Sequence, residues 1–113
     1  MSDRRYTPDH LWIDGDGRVG VTPAVLARLP SVEAVHLPAP GTRVHVARAF
    51  GALELAKGCF DLHAPCDGVV VEARAVRPWE LNGDRWLVRV DGTRGRLWTL
   101  EEYLARATKP RRR

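Results

Sequence analysis

The chain has 113 residues, 44% apolar and 28% charged, with 18 lysines and arginines against 14 acidic groups and a formal net charge of +4. That length and mixture predict one domain with a core of its own and exclude a disordered or membrane-embedded chain, since no apolar run approaches the roughly 20 residues that cross a bilayer. Six basic residues are terminal (Arg4, Arg5, Lys109, Arg111, Arg112 and Arg113), which leaves 12 between residues 6 and 108 against 13 acidic ones, so the positive charge describes no basic binding face and no nucleic-acid partner is expected.

The opening MSDRRYTPDH has basic residues with no apolar segment behind them, which predicts a cytoplasmic protein without a secretory signal. Residues 1–5 read as a flexible leader, 6–107 as the domain and 108–113 as a basic tail. Residues 10–13 and 18–21 flank Asp14-Gly15-Asp16-Gly17 and predict a hairpin, because the turn is rich in residues that tolerate φ > 0. A calcium loop is not expected, as the further acidic ligands do not follow. Thr22-Pro23 predicts the cap and first position of a short helix with Val25, Leu26 and Leu29 on its apolar side and Pro30 at its end. In the strand predicted over 31–37, Val32, Ala34 and His36 share one face, while Glu33, Val35 and Leu37 share the other. His36 is expected at a rim or across a strand pair, since no nucleophile is placed to use it. Pro38, Pro40 and Gly41 form a turn, and a short strand begins at Val44 and reaches Val46.

Residues 50–72, FGALELAKGCFDLHAPCDGVVVE, carry the strongest local signal. A strand over 50–56 reverses at Lys57-Gly58 into a second strand over 59–62; Pro65 breaks it, Asp67-Gly68 turns, and the apolar run Val69 to Val71 follows. A lysine at such an apex is pushed into water, with Glu54 and Asp61 several residues down the two arms. The pattern alone leaves Lys57 as either an ordinary solvated turn residue or a group with a role. Cys59, His63 and Cys66 offer three ligands and no fourth at a usual spacing, so reduced thiols and no metal are expected. Residues 77–80 and 81–84 read as turns, Trp86, Val88 and Val90 as the inward face of a late strand, and 91–95 as another turn. Thr99 with Glu102 predicts a helix start whose reciprocal cap is worth about 1 kcal/mol, with Leu100, Tyr103 and Leu104 on the apolar side. The expected fold is dominated by β-structure, a compact barrel or sandwich with one short helix after the first hairpin and another at the C-terminus.

Over residues 6–107 the chain resembles the glycine cleavage system H-protein family, a branch of the lipoyl and biotinyl carriers. The likeness rests on Tyr6-Thr7-x-x-His10-x-Trp12, on Val19-Gly20-Val21-Thr22 and on residues 35–44, VHLPAPGTRV. It continues in Phe50-Gly51-x-x-Glu54-x-x-Lys57, in Asp61-Leu62-x-x-Pro65-x-x-Gly68, and in Asn82, Trp86-Leu87 and Glu101-Glu102-Tyr103. The short alternating strands separated by Gly, Pro and Asp turns, taken with the resemblance, predict a barrel-sandwich hybrid of two small antiparallel sheets, with Val69, Val71, Trp86 and Val88 contributing to its interior. The resemblance also implies lipoic acid joined to the ε-amine of Lys57. Glu54 and Asp61 would then take part in recognition of the hairpin, and Gly58 and Gly68 would permit its geometry. The arm would carry an aminomethyl group from a pyridoxal-phosphate-dependent glycine decarboxylase to a folate-dependent aminomethyltransferase, and a flavin-dependent dihydrolipoamide dehydrogenase would reoxidise it. A lipoate ligase or lipoyl transferase would attach the arm.

A monomeric carrier with no catalytic residues and no metal is implied, since no Ser/His/Asp or paired-carboxylate set can be placed by spacing. Biotin fits less well, because Lys57 lies between Ala56 and Gly58 and Met1 is the only methionine. The chain departs from the family at Leu55, Ala56 and Gly58 around the lysine, at Leu11, and in a shorter segment between Leu81 and Trp86. The alternatives are an H-protein-like lipoyl carrier serving another pathway, such as sulfur oxidation, and an interaction module whose lysine is unmodified.

Overall fold

Short strands with apolar residues on one face must hide that face, and the chain does so with two antiparallel sheets laid over each other. The computed structural model describes residues 3–94 and 97–107. Its strands are β1 (Arg5–Tyr6), β2 (Leu11–Ile13), β3 (Arg18–Val21), β4 (Val32–His36), β5 (Arg43–Val44), β6 (Ala49–Leu55), β7 (Gly58–His63), β8 (Cys66–Ala73) and β9 (Trp86–Arg94). The larger sheet runs β1-β2-β3-β9-β8-β5 and the smaller β4-β6-β7. This is the expected barrel-sandwich arrangement, although the larger sheet, at six strands, is bigger than anticipated. No helix among the described residues is long and apolar enough to cross a membrane.

The core lies between the sheets. Leu53 and Leu62 of the smaller sheet and Val19, Val70 and Val88 of the larger are almost wholly buried. Pro65 marks the corner where the chain passes from β7 in one sheet to β8 in the other. Strand β8 starts at Cys66, so Asp67 and Gly68 lie within it and form no turn. Buried Cys66 also sets the strand's parity: Val70 points inward, Val69 is half-buried and Val71 is 37% exposed, which corrects the expected interior places of Val69 and Val71. A bulge between Val70 and Glu72 then breaks the alternation. In β9 both Leu87 and Val88 are buried in the same core, because a bulge opposite Val19 and Gly20 breaks the alternation there. It continues through 91–94, paired with the start of β8, where a turn was expected; Gly95 lies outside the described residues.

A second apolar centre sits on the other side of the larger sheet. Along β2, Leu11 and Ile13 join the main core while Trp12 points the opposite way, to Tyr6 and Tyr103. Gly20 lies across from Trp12, and a Cβ there would overlap the indole. The Trp12 indole N–H donates to the Gly83 carbonyl at 2.8 Å, and the Arg4 guanidinium lies 3.7 Å from the ring centroid. Trp86 packs against this centre, half-buried.

Both helices are capped as their sequences predict. Helix α1 (Pro23–Leu26) is short, and Thr22 Oγ1 accepts the Val25 N–H at 3.3 Å. At the start of helix α2 (Leu100–Ala107), Thr99 Oγ1 accepts the Glu102 N–H and Glu102 Oε1 accepts the Thr99 N–H. Only Tyr103 of α2's expected apolar side is buried; Leu100 and Leu104 are 51% and 41% exposed. Tyr103 stacks on Tyr6 with centroids 5.2 Å apart, and its hydroxyl lies 2.7 Å from Thr22 Oγ1 and 2.9 Å from His10 Nδ1. A neutral His10 lets every proton be used: Thr22 donates to Tyr103, and Tyr103 donates to His10. Burial lowers the His10 pKa, helped by the Arg28 charge and opposed by Asp9, and burial raises that of Tyr103 against the Thr22 hydrogen bond.

Two outcomes follow from this packing. Gly20→Ala should lower unfolding stability by about 1–3 kcal/mol in urea titration, the usual cost of overpacking, whereas Gly41→Ala meets no neighbour and should lose only what its φ of +95° costs an L side chain. Because the folded pKa of His10 lies below its ordinary 6.5, the unfolded chain binds that proton first, so stability should fall as pH drops below about 6.5. His10→Asn, which suits the residue's φ of 72°, should flatten that component in melts taken across the range.

Candidate functional site

The hairpin of β6 and β7 pairs Leu53 with Phe60, Glu54 with Cys59 and Leu55 with Gly58, which leaves Ala56 and Lys57 as the turn. The reversal was expected one residue later, at Lys57-Gly58; Gly58 instead opens β7. Its φ of +119° lies in the half of the map that L side chains rarely adopt, and the space around it is open, so glycine is required there by backbone geometry. Lys57 is exposed. Among the described residues it has no ion-pair or hydrogen-bond partner.

Leu53 and Leu62 face the core, so alternation turns Glu54, Cys59 and Asp61 outward on the smaller sheet. Strand β4 lies beside β6, and there His36 Nε2 meets Glu54 Oε1 at 2.9 Å, making His36 the cross-strand residue it was expected to be. Cys59 is exposed and its thiol donates to Asp61 Oδ1 at 3.5 Å. That hydrogen bond, and next the charge of the same carboxylate, raise the Cys59 pKa and keep the sulfur protonated. Cys66 is buried and in no disulfide.

The structure brings Lys57, Glu54, Gly58 and Asp61 onto one hairpin. Gly68 is elsewhere: it lies in β8 opposite Gly92, where a Cβ would collide with the Asp91 carbonyl, so its smallness serves the close pairing of β8 and β9. Two features escaped the sequence reading. The contact of Tyr103 with Thr22 and His10 joins residues more than 80 positions apart. The clustering of Arg74, Arg77 and Trp79 beside β4 was hidden because 77–80 was read only as a turn and Arg74 lies before it, and its one visible signal was an arginine two positions from a tryptophan. No three His, Cys, Asp or Glu residues among those described are grouped to hold a metal.

A family model described as Glycine cleavage H-protein matches residues 4–94. The glycine cleavage system H protein of Koribacter versatilis is 35% identical over 98 residues, covering 81% of this chain and 78% of that protein. That of Beutenbergia cavernae is also 35% identical, across 92% of this chain and 93% of its own length. The crystal structure of a glycine cleavage system H protein from Mycobacterium marinum superposes with a TM-score of 0.81 at 33% identity, covering 94% of this chain and 97% of that one. A likeness of this extent reaches from the first strands through β9 and takes in the hairpin, so the chain belongs to the glycine cleavage H-protein family of non-catalytic lipoyl carrier subunits.

Proposed function

We propose that this protein is the lipoyl carrier of a glycine cleavage system, with lipoic acid in amide linkage to Lys57 and an aminomethyl group carried between a glycine decarboxylase, an aminomethyltransferase and a dihydrolipoamide dehydrogenase. The observation that carries the reading is the exposed Lys57 in a two-residue turn, held by a hairpin whose inward leucines are fully buried. The site fits the group: Lys57 is exposed, and an ε-amine in open water can reach the active site of a modifying enzyme.

The protein's own residues supply placement. Leu53 and Leu62 fix the register, Gly58 makes the reversal possible, and Glu54 and Asp61 present carboxylates beside the tip by which a lipoate ligase or lipoyl transferase can recognise it. Amide formation removes the lysine charge, and a long flexible arm on a rigid hairpin raises the effective concentration of its end at each partner's site. The dithiolane supplies the redox and group-accepting chemistry, which explains why the chain needs no catalytic set of its own.

Incubation with lipoate, ATP and a lipoate ligase should raise the intact mass by one lipoyl group, and peptide mapping should find it on Lys57. Lys57→Arg should abolish that gain and leave stability within about 0.5 kcal/mol, as for exposed side chains generally; an unchanged mass in the wild type, under conditions that modify another acceptor, would favour an unmodified interaction module. The lipoylated protein, mixed with the three enzymes from its own source, should support glycine-dependent release of carbon dioxide and formation of NADH. Full lipoylation without glycine turnover would assign the carrier to another pathway.

A further inference from the structure

Between β4 and the segment that leaves β8 runs a groove of about 750 Å³, walled by Val35 and Leu37 on one side and by residues 73–77 on the other, with Glu80 as the one carboxylate in its lining. Its apolar residues are half-buried and pack on the main core, so its floor is the open margin of the sandwich interior. Arg74 also borders a second hollow with Asn82, Asp84 and Arg85.

The charges on this side are unbalanced in a particular way. Asp84 is already paired with Arg4 at 3.1 Å, and Glu80 Oε1 accepts the Arg77 backbone N–H at 2.8 Å. The guanidinium of Arg74 lies over Trp86 at 4.9 Å and that of Arg77 over Trp79 at 5.6 Å, while Arg85 Nε donates to the Glu80 carbonyl. Among the described residues none of these three arginines has a carboxylate partner, whereas Arg18 and Arg89 do. Trp79 stands 76% exposed beside them. Tryptophan and arginine are the residue types that dominate binding energy where proteins meet.

We propose that this groove docks an acidic segment of a partner protein, which lays an apolar side chain on Val35, Leu37 and Val76 while its carboxylates meet Arg74, Arg77 and Arg85 and its chain covers Trp79. Charge complementarity selects this occupant. A second copy meeting the same face about a two-fold axis would set arginine against arginine. Nucleic acid would leave the apolar floor unused, and residues 6–108 as a whole carry one more acidic than basic group. The site is separate from the lysine tip. Val32 of β4 pairs with Leu55 next to the turn, whereas Val35 lies about 10 Å further along the strand. A partner held there leaves Lys57 free to move, and tethering by a second contact raises the local concentration of the tip at that partner. The inference goes beyond the carrier role and does not depend on modification of Lys57.

The test uses the isotope-labelled full chain and an acetylated, amidated peptide of alternating glutamate and leucine at about 50 mM salt, where exposed charges are weakly screened. Amide shifts should be confined to residues 34–37 and 73–86, and the peptide should quench tryptophan fluorescence. The double variant Arg74→Gln, Arg77→Gln should bind about tenfold more weakly, as should Trp79→Ala. These side chains are exposed, and unchanged circular dichroism would show that the fold is retained. A peptide with lysine in place of glutamate should not bind. Equal binding of the lysine peptide, tighter binding of oligothymidylate than of the acidic peptide, shifts centred elsewhere, or self-association through this face would each overturn the proposal.

Discussion

Everything at the lysine tip depends on the register of β6 against β7. Leu53 and Leu62 are buried completely, and both point inward in the observed pairing of Leu53 with Phe60 and Leu62 with Gly51. Because side chains alternate across a strand, a slip of one residue between β6 and β7 would keep one leucine inward, expose the other and turn a carboxylate of the slipped strand, Glu54 or Asp61, into the core. Carboxylates buried without partners are far costlier than the loss of one cross-strand pair. The turn therefore falls at Ala56-Lys57 by the packing of residues well below it, and the exposure of the lysine is inherited from the burial of the leucines.

The second apolar centre does a different task. Trp12 reaches through its indole N–H to Gly83, and Tyr103 reaches through its hydroxyl to Thr22 and His10. These contacts bind the first hairpin, the loop before β9 and the last helix into one body. Polar atoms on large aromatic rings make this possible, since each ring fills space while its tip satisfies a donor or acceptor that burial would otherwise strand. Elsewhere charge is settled locally: Asp14 accepts from the Asp16 and Arg18 backbone N–H groups and from the Arg18 guanidinium, which closes the first hairpin without help from the rest of the fold.

What the sequence revealed and what it concealed divide by range. The Thr22 and Thr99 caps, the first hairpin, the break at Pro65 and the exposed lysine were legible because their causes lie within a few residues of each other. The inward face of β8 was misassigned because nothing local announces that the strand starts at Cys66; with the start moved back by three residues the buried set changes from Val69 and Val71 to Val70. Asp67-Gly68 looks like a turn and is strand, since its glycine is required by the nearness of Gly92, a partner distant in the chain. Of the candidate site, Lys57 and its flanking carboxylates could be read directly, while the pairing of Glu54 with His36 needed the β4 register as well.

Strand β9 lies in the middle of the larger sheet, between β3 and β8, although it is the last strand to be made. During synthesis β1, β2 and β3 can pair as a meander, and β6 with β7 can close as a hairpin, but the two halves of the six-stranded sheet have no common strand until residues 86–94 have left the ribosome. Until then β3 and β8 each carry an open edge, the condition in which nascent chains are prone to pair with one another. The lysine hairpin can thus close from local contacts before the rest of the body, but the burial of Leu53 and Leu62 that fixes its register waits for the final strand.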